Sequence, residues 1–317
     1  MPKYLITGGA GFIGSNIVRR FIKNSENVRI LDNFSSGKKE NIEDVMDKIE
    51  LIEGDVCDYK IVEKAVKGID YVFHYAAIPY VPFSIENPVD TVNVNTIGTI
   101  NLLEASRKHN VKKFIFASSS AIYGNTETIP SPENLLPAPL SPYAITKLTG
   151  EYYCQFYYLT YGLKIVCFRY FNVFGPYQNL ESQYSAVIPI FINKILNNER
   201  PMIYGDGYQT RDFIYIDNVI EANLLAIKTR NGDGKVLNIC QGEEINLFTL
   251  IDVINKILDK NIKPTFTDAR PGDIRRSCGD SQRANSILNY NPKVSFEEGI
   301  EKTVEWYKRI FCKKGDL

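Results

Sequence analysis

Short apolar runs alternate with amphipathic stretches along the first half of the chain. KYLIT, VRILD, IELIEGD, YVFHYAA, KFIFASS and KIVCFRYF are apolar on both faces, as strands covered by helices are. Between them, GSNIVRRFIKN, KIVEKAVKG, TVNVNTIGTINLLEASRKHN and YAITKLTGEYYCQFYYLTYG repeat apolar residues at helical spacing. This alternation predicts βαβ units and an α/β fold built on a doubly wound parallel sheet.

After Asn172 the rhythm changes. SAVIPIFINKILNNERP predicts a helix, and MIYGDGYQTRDFIYI a hairpin turning at Gly205-Asp206-Gly207. The helix NVIEANLLAIKT and the strand KVLNIC follow, then the helix NLFTLIDVINKILDK. The basic stretch DARPGDIRRSCGDSQRA reads as loop, and FEEGIEKTVEWYKRI as a closing helix. No repeat or low-complexity linker separates the two regimes. The expectation is therefore a smaller α/β domain interleaved with the larger one. Residues 1–171 plus 212–240 form the larger, and 172–211 plus 241–317 the smaller.

Charge and cysteine content narrow the function classes. Among 317 residues, 37 basic side chains balance 37 acidic ones, which argues against nucleic acid or an anionic membrane as partner. The six cysteines are scattered without a CxxC pair, and Cys167 and Cys240 lie in apolar runs. Buried free thiols and a reducing, cytoplasmic compartment are expected. No signal-peptide core opens the chain, and no apolar run approaches the roughly 18–20 residues of a membrane helix. His74 and His109 stand far apart, with no cysteine or carboxylate at ligand spacing, so no metal site is expected.

Candidate chemistry begins at LITGGAGFIGS, where Gly8, Gly11 and Gly14 follow a strand and open a helix. Glycines there allow a tight turn, backbone approach to a pyrophosphate and close helix–strand contact. The helix N-terminus adds N–H donors and positive dipole. Asp32 ends the next strand, where a carboxylate can accept from both ribose hydroxyls and repels a 2′-phosphate. NAD is thus favoured over NADP. Asp55 and Val56, in EGDVCD, end the third strand and suit contact with an adenine edge.

SPYAITK puts Tyr143 and Lys147 one turn apart on a helix that Ser141 can cap and Pro142 can start. An ammonium beside a phenol lowers the phenol's pKa from about 10 toward a useful general base. That spacing alone is common on helix surfaces. Behind a dinucleotide fingerprint it points to catalysis. SSSAIYG adds three hydroxyls at the end of the KFIFA strand with no acid beside them in the sequence.

Taken in order, TGGAGFIGS, LDNFSSGKKENI, GDVCD, HYAA, NVNTIGT, SSSAIYG, SPYAITK, RYFNVFGP, GDGYQTRDFIYIDN and RPGDIRRS make the chain similar to extended short-chain dehydrogenases/reductases. Within that superfamily it resembles the UDP-glucose 4-epimerases nearly end to end. The resemblance implies a Rossmann domain holding NAD. Gly8, Gly11, Phe12, Ile13 and Gly14 would hold the cofactor together with Asp32, Asn33, Ser35, Ser36 and Gly37. Asp55, Val56, Tyr75, Ala76, Ala77 and Asn95 would join them, with Tyr143, Lys147 and Tyr170 at the reacting end.

In this superfamily the catalytic hydroxyl lies four residues before the strand-loop tyrosine, here Tyr123, which implies Ser119. Where 4,6-dehydratases carry an Asp-Glu pair, this chain has Ser120 and Ala121. Water elimination needs an acid and a base beyond the tyrosine, and Ala121 supplies neither. The implied reaction is oxidation at C4, rotation of the 4-keto sugar and re-reduction from the other face. Ser119 and Tyr143 would handle the proton.

The same resemblance assigns Arg211 and Arg270 to a UDP diphosphate, a role that suits guanidinium forks. It assigns Asp273 to the ribose, Asn172 to sugar or phosphate, and Ala186, Val187, Met202, Ile203 and Tyr204 to the uridine pocket. Tyr170 and Phe171 would lie by the nicotinamide and sugar. Ser277 stands where epimerases restricted to plain hexoses carry a bulky aromatic, so room for an N-acetyl group is expected. UDP-GlcNAc and UDP-GalNAc would then fit as well as UDP-Glc and UDP-Gal. Pro79 and Tyr80 replace small residues of N-acetyl-specific relatives. Arg275-Arg276 could meet a carboxylate and keeps open a UDP-glucuronate 4-epimerase, although uronate epimerases usually replace Asn172 by threonine. A UDP-glucuronate decarboxylase is the other enzymatic alternative, and Ala121 speaks against it. An NAD-binding sensor without turnover is the non-enzymatic alternative. Such proteins lose the tyrosine or lysine, and both are present. The resemblance also implies a homodimer, formed through a four-helix bundle of the helix after Asn95 and the helix bearing Tyr143.

Overall fold

The computed structural model describes residues 1–179, 186–269 and 274–314, without the side chains of 312–314. Six strands come from the first half: β1 (Lys3–Thr7), β2 (Asn27–Asp32), β3 (Ile49–Glu53), β4 (Tyr71–His74), β5 (Lys113–Ser119) and β6 (Ile165–Tyr170). With Lys235–Ile239 they form one seven-stranded sheet in the order Lys235–Ile239, β6, β5, β4, β1, β2, β3. Every pairing in it is parallel. This is the expected doubly wound α/β fold.

Period-2 alternation explains the two covered faces. Tyr4, Ile6, Phe73, Ile115 and Phe168 face the helices Phe12–Lys23 and Ile216–Lys228, packing with Ile17, Phe21 and Val219. Leu5, Val72, Phe114, Phe116 and Cys167 face the other way, onto Val62, Leu102, Leu103 and Cys154. Strand order reverses between β1 and β4, so their C-terminal ends splay apart and leave a crevice.

The expected hairpin after Pro201 does not form. Met202–Tyr204 pairs in parallel with Thr265–Thr267, Thr210–Arg211 antiparallel with Ile245–Asn246, and Phe213–Tyr215 in parallel with Asn172–Phe174. Gly205 and Gly207 do turn the chain at φ of +80° and +83°. The arms then diverge because buried Asp212 is held elsewhere. Its carboxylate accepts from the backbone N–H groups of Gln241, Gly242 and Gly279.

Between Pro88 and Lys108 the chain is helical throughout, with a π-helical turn at Asn93–Ile97. Cys154, Cys167, Cys240 and Cys278 are buried free thiols as expected, whereas Cys57 is exposed. Among the described residues, no helix is long and apolar enough to cross a membrane and no side-chain cluster suits a metal ion.

Candidate active site

The crevice at the C-terminal ends of the strands is a cleft of about 910 Å³. Its floor is the turn after β1. Gly8 adopts φ +65°, and a Cβ there would lie 2.7 Å from the Ala76 nitrogen. A Cβ on Gly14 would sit 2.2 Å from the Gly8 carbonyl oxygen. These contacts leave the first turn of Phe12–Lys23 open to the cleft, and no side chain caps that helix. Uncapped N–H groups above a cradle closed to side chains suit a pyrophosphate.

Asp32 ends β2 beside this cradle. Its carboxylate accepts from the N–H groups of Ala10 and Phe34, both at 2.8 Å. Burial raises its pKa, and the two N–H donors oppose the rise. The backbone thus orients an acid on the cleft wall, where a ribose diol can bond it. Asn33, Ser35, Ser36, Gly37, Val56, Tyr75, Ala76 and Ala77 line the same cleft. The residues present therefore fit a dinucleotide. Asp55 and Asn95 stand one layer behind. Asp55 accepts from Asn33 at 2.8 Å. Asn95, buried at the π-turn, accepts from the Ile78 N–H at 2.8 Å and donates to the Ile78 carbonyl and to Thr146, both at 3.1 Å.

Ser119, Tyr143 and Lys147 meet at the other end of the cleft. Ser141 caps the helix Pro142–Tyr161 through the Ala144 N–H at 3.2 Å, and Pro142 occupies its first position. Burial raises the Tyr143 pKa, and a hydrogen bond with Ser119 opposes the rise. Burial lowers Lys147 to about 8. Its ammonium donates to the Ala117 carbonyl at 2.7 Å and lies 5.8 Å from the centre of the Tyr143 ring. The expected lowering of the tyrosine by the lysine is not found: burial raises Tyr143, Ser119 alone opposes the rise, and the ammonium is turned to the Ala117 carbonyl.

The hydroxyl row of SSSAIYG divides by hydrogen-bond partner. Both Ser118 and Ser119 border the cleft. The Ser119 oxygen accepts from the Ala121 N–H at 3.2 Å, whereas the buried Ser118 hydroxyl is committed to Glu151, to which it donates. The tertiary fold thus brings to the row the carboxylate that its sequence neighbours lack. Glu151 does not line the cleft. It is paired bidentately with Arg169 at 2.9 and 2.7 Å, and Arg169 donates onward to Tyr123 at 2.9 Å. Tyr143, Lys147 and Glu151 follow at i, i+4 and i+8, so one helix face supplies both the cleft pair and the buried partner of Arg169.

His74, at the end of β4, is buried between Thr7 at 2.8 Å and Thr99 at 2.9 Å. Thr99 donates to the Asn95 carbonyl, so the ring must be protonated on Nε2. Burial pushes its pKa down to about 3, with repulsion from Lys147 adding to the effect. Tyr75 and Tyr170 line the cleft, and both bond the buried Asn223 of the helix Ile216–Lys228. Tyr177, Gln178, Trp306, Tyr307 and Ile310 close a wall that sequence reasoning missed. The helical spacing of Trp306, Tyr307 and Ile310 was the available signal.

Of the expected substrate contacts, Ala186 lines the cleft. Asn172 is half-buried and donates to the Asp212 carbonyl at 3.3 Å. Val187 starts its helix, Met202 is exposed, and Tyr204 and Ser277 are half-buried away from the cleft wall. Arg211 donates to the carbonyls of Thr210 and Ile274 at 2.8 and 2.6 Å. Arg270 and Asp273 lie outside the described residues. Arg275 and Arg276 are already paired, with Asp206 at 2.7 Å and Glu244 at 2.6 Å.

Comparison with known proteins gives this geometry its context. The solved UDP-glucose 4-epimerase of Thermotoga maritima, determined with UDP-glucose, superposes with a TM-score of 0.93 at 39% identity, covering 98% of this chain and 99% of that one. UDP-N-acetylglucosamine 4-epimerase from Methanobrevibacter ruminantium, solved in complex with UDP-N-acetylmuramic acid, gives 0.93 at 40% identity, with 98% and 99% covered. A putative UDP-glucose 4-epimerase of Methanocaldococcus jannaschii is 40% identical over 306 residues, 96% of this chain and 98% of that protein. Residues 4–240, from β1 past the last strand of the sheet, match one family model. With the glycine cradle, Asp32 and the Ser119–Tyr143–Lys147 cluster all inside that span, the chain belongs to the NAD dependent epimerase/dehydratase family.

Proposed function

We propose that the protein interconverts C4 epimers of UDP-hexoses, accepting UDP-GlcNAc and UDP-GalNAc as well as UDP-Glc and UDP-Gal. The observation that carries this reading is what stands beside Tyr143. A serine hydroxyl and a lysine meet it, and the only acids on the described cleft wall, Asp32 and Glu40, belong to the cofactor end. Proton handling at one carbinol needs no more, whereas dehydration needs a further acid–base pair.

On this reading Gly8, Gly11, Phe12, Ile13 and Gly14 hold the pyrophosphate, and Asp32 holds the ribose. Bound NAD supplies the oxidation and re-reduction at C4 and a positive charge that favours a phenolate nearby. Ser119 bonds the sugar 4-hydroxyl, and Tyr143, as phenolate, takes that proton directly or through Ser119. Lys147 keeps a positive charge behind the tyrosine while bonded to Ala117. Arg211, Arg270, Asp273 and Asn172 hold the UDP. Ser277 stands outside the described cleft wall and, with no aromatic ring, brings no bulk toward the sugar 2-position. The neighbour crystallised with UDP-N-acetylmuramic acid supports room there. The acid partners of Arg275 and Arg276 weigh against a uronate carboxylate as their target.

We assign residues 1–171 and 212–240 to cofactor binding, and 172–211 and 241–317 to the UDP-sugar. A homodimer through the helices Pro88–Lys108 and Pro142–Tyr161 completes the reading. Val89 at 70% and Leu159 at 71% exposure, with Val92, Ile145, Tyr152 and Phe156, offer the apolar face that such a bundle would bury.

An NMR time course with UDP-GlcNAc and, separately, UDP-Glc, without added NAD, tests the proposal. Conversion of both to their C4 epimers is expected. Conversion of UDP-Glc alone would overturn the roomy pocket, and conversion of neither the epimerase reading.

A further inference from the structure

A second cavity, of about 450 Å³, opens at the N-terminal ends of β4, β5 and β6. It lies at the opposite edge of the sheet from the active site. Lys113 and Ser119 bound the same strand, roughly 20 Å apart at about 3.3 Å per residue. Six cations line it, Arg107, Lys112, Lys113, Lys164, Lys228 and Arg230, and no acid does. In a chain with no net charge, that is a concentrated field.

Part of this charge has a structural explanation. The helices Gly98–Lys108, Pro142–Tyr161 and Ile216–Lys228 all end here, and basic residues suit helix C-termini. Lys113 is consumed in this way. It donates to the Ala226 carbonyl at 2.8 Å and to the Thr229 carbonyl at 2.5 Å, and pairs with Asp233 at 2.7 Å. Arg107 pairs with Glu104 and Lys112 with Asp70, both acids outside the cavity lining. Lys164, Lys228 and Arg230 form no ion pair among the described residues.

We infer that this cavity binds a small phosphorylated anion, with Lys164, Lys228 and Arg230 meeting the phosphate oxygens. Its concave shape suits a di- or triphosphate rather than an extended polyanion. The inference does not depend on the proposed epimerase activity.

Calorimetric titration of the full chain, saturated with NAD, with inorganic pyrophosphate and separately with ATP tests it. Saturable binding of at least one is expected. The double variant Lys164→Glu/Arg230→Glu should weaken that binding at least tenfold. Lys23→Glu/Lys64→Glu, at exposed positions outside the cavity lining, should leave it within twofold. Absence of saturable binding to the unaltered protein would overturn the inference. So would binding unchanged by the cavity variant, or an equal loss in the remote control. Thermal melts of each variant separate lost binding from lost fold.

Discussion

Replacing Glu151 by glutamine tests whether the buried pair behind the active site sets catalytic geometry. Glu151 and Arg169 are 4% and 5% exposed, so solvent cannot take over either charge. Glutamine keeps the shape but turns an N–H₂ toward either Ser118 or the guanidinium, and leaves Arg169 uncompensated. Breaking a buried ion pair from one side costs about 3–5 kcal/mol. For a chain of this length, at about 2.1 cal/mol/K of unfolding entropy per residue, the melting temperature should fall by about 4.5–7.5 °C. Removing both charges with Glu151→Gln/Arg169→Met leaves Tyr123 short of one donor but no buried charge unpaired. The double variant should therefore regain at least half of the lost stability. Because Glu151 shares a helix face with Tyr143 and bonds the residue before Ser119, turnover should fall at least tenfold in the single variant while NAD content stays unchanged. Differential scanning fluorimetry and a coupled epimerase assay measure both. A single variant melting within 1 °C of the unaltered protein, or a double variant whose loss equals the sum of the singles, would refute the reasoning.

Further outcomes follow from the same geometry. Tyr143→Phe should lower turnover by about 10²–10⁴-fold without loss of bound NAD, which an activity assay and the absorbance of released cofactor would separate. Gly14→Ala drives a Cβ to within 2.2 Å of a carbonyl oxygen, so NAD should no longer co-purify, while Gly162→Ala, with no atom within 4 Å but φ +72°, should cost only about 1 kcal/mol in urea denaturation. The folded-state pKa of His74, near 3, lies below its unfolded value of about 6.5. Its contribution is therefore intact above pH 6.5 and is lost as the pH falls toward 3. Between pH 7 and pH 5 this amounts to about 2 kcal/mol. Urea titrations at the two pH values should show that loss, and His74→Gln should remove it from the pH dependence. An unchanged slope in the variant would contradict the assignment.

Much of this protein is determined locally. The strand–helix alternation, the glycines after β1, Asp32 eighteen residues beyond Gly14, and the cap-and-proline start of the Tyr143 helix are short-range patterns. Each follows from backbone sterics or periodicity within a single element. Tertiary structure decided what crosses between elements. SSSAIYG shows three hydroxyls, but only the packing of β5 against a helix more than thirty residues away commits the Ser118 hydroxyl to Glu151 and leaves Ser119 beside Tyr143. Tyr143 and Lys147 are legible as a pair, whereas their protonation depends on burial, which no sequence spacing states. Gly205-Asp206-Gly207 does turn, yet its arms join three separate pairings because Asp212 is drawn to backbone donors at 241, 242 and 279. The aromatic wall at Trp306 and the basic cavity below the sheet likewise combine residues distant in the chain. Hydrophobic burial brought these residues together, and it acts on whole faces of helices and sheets rather than on neighbours along the chain.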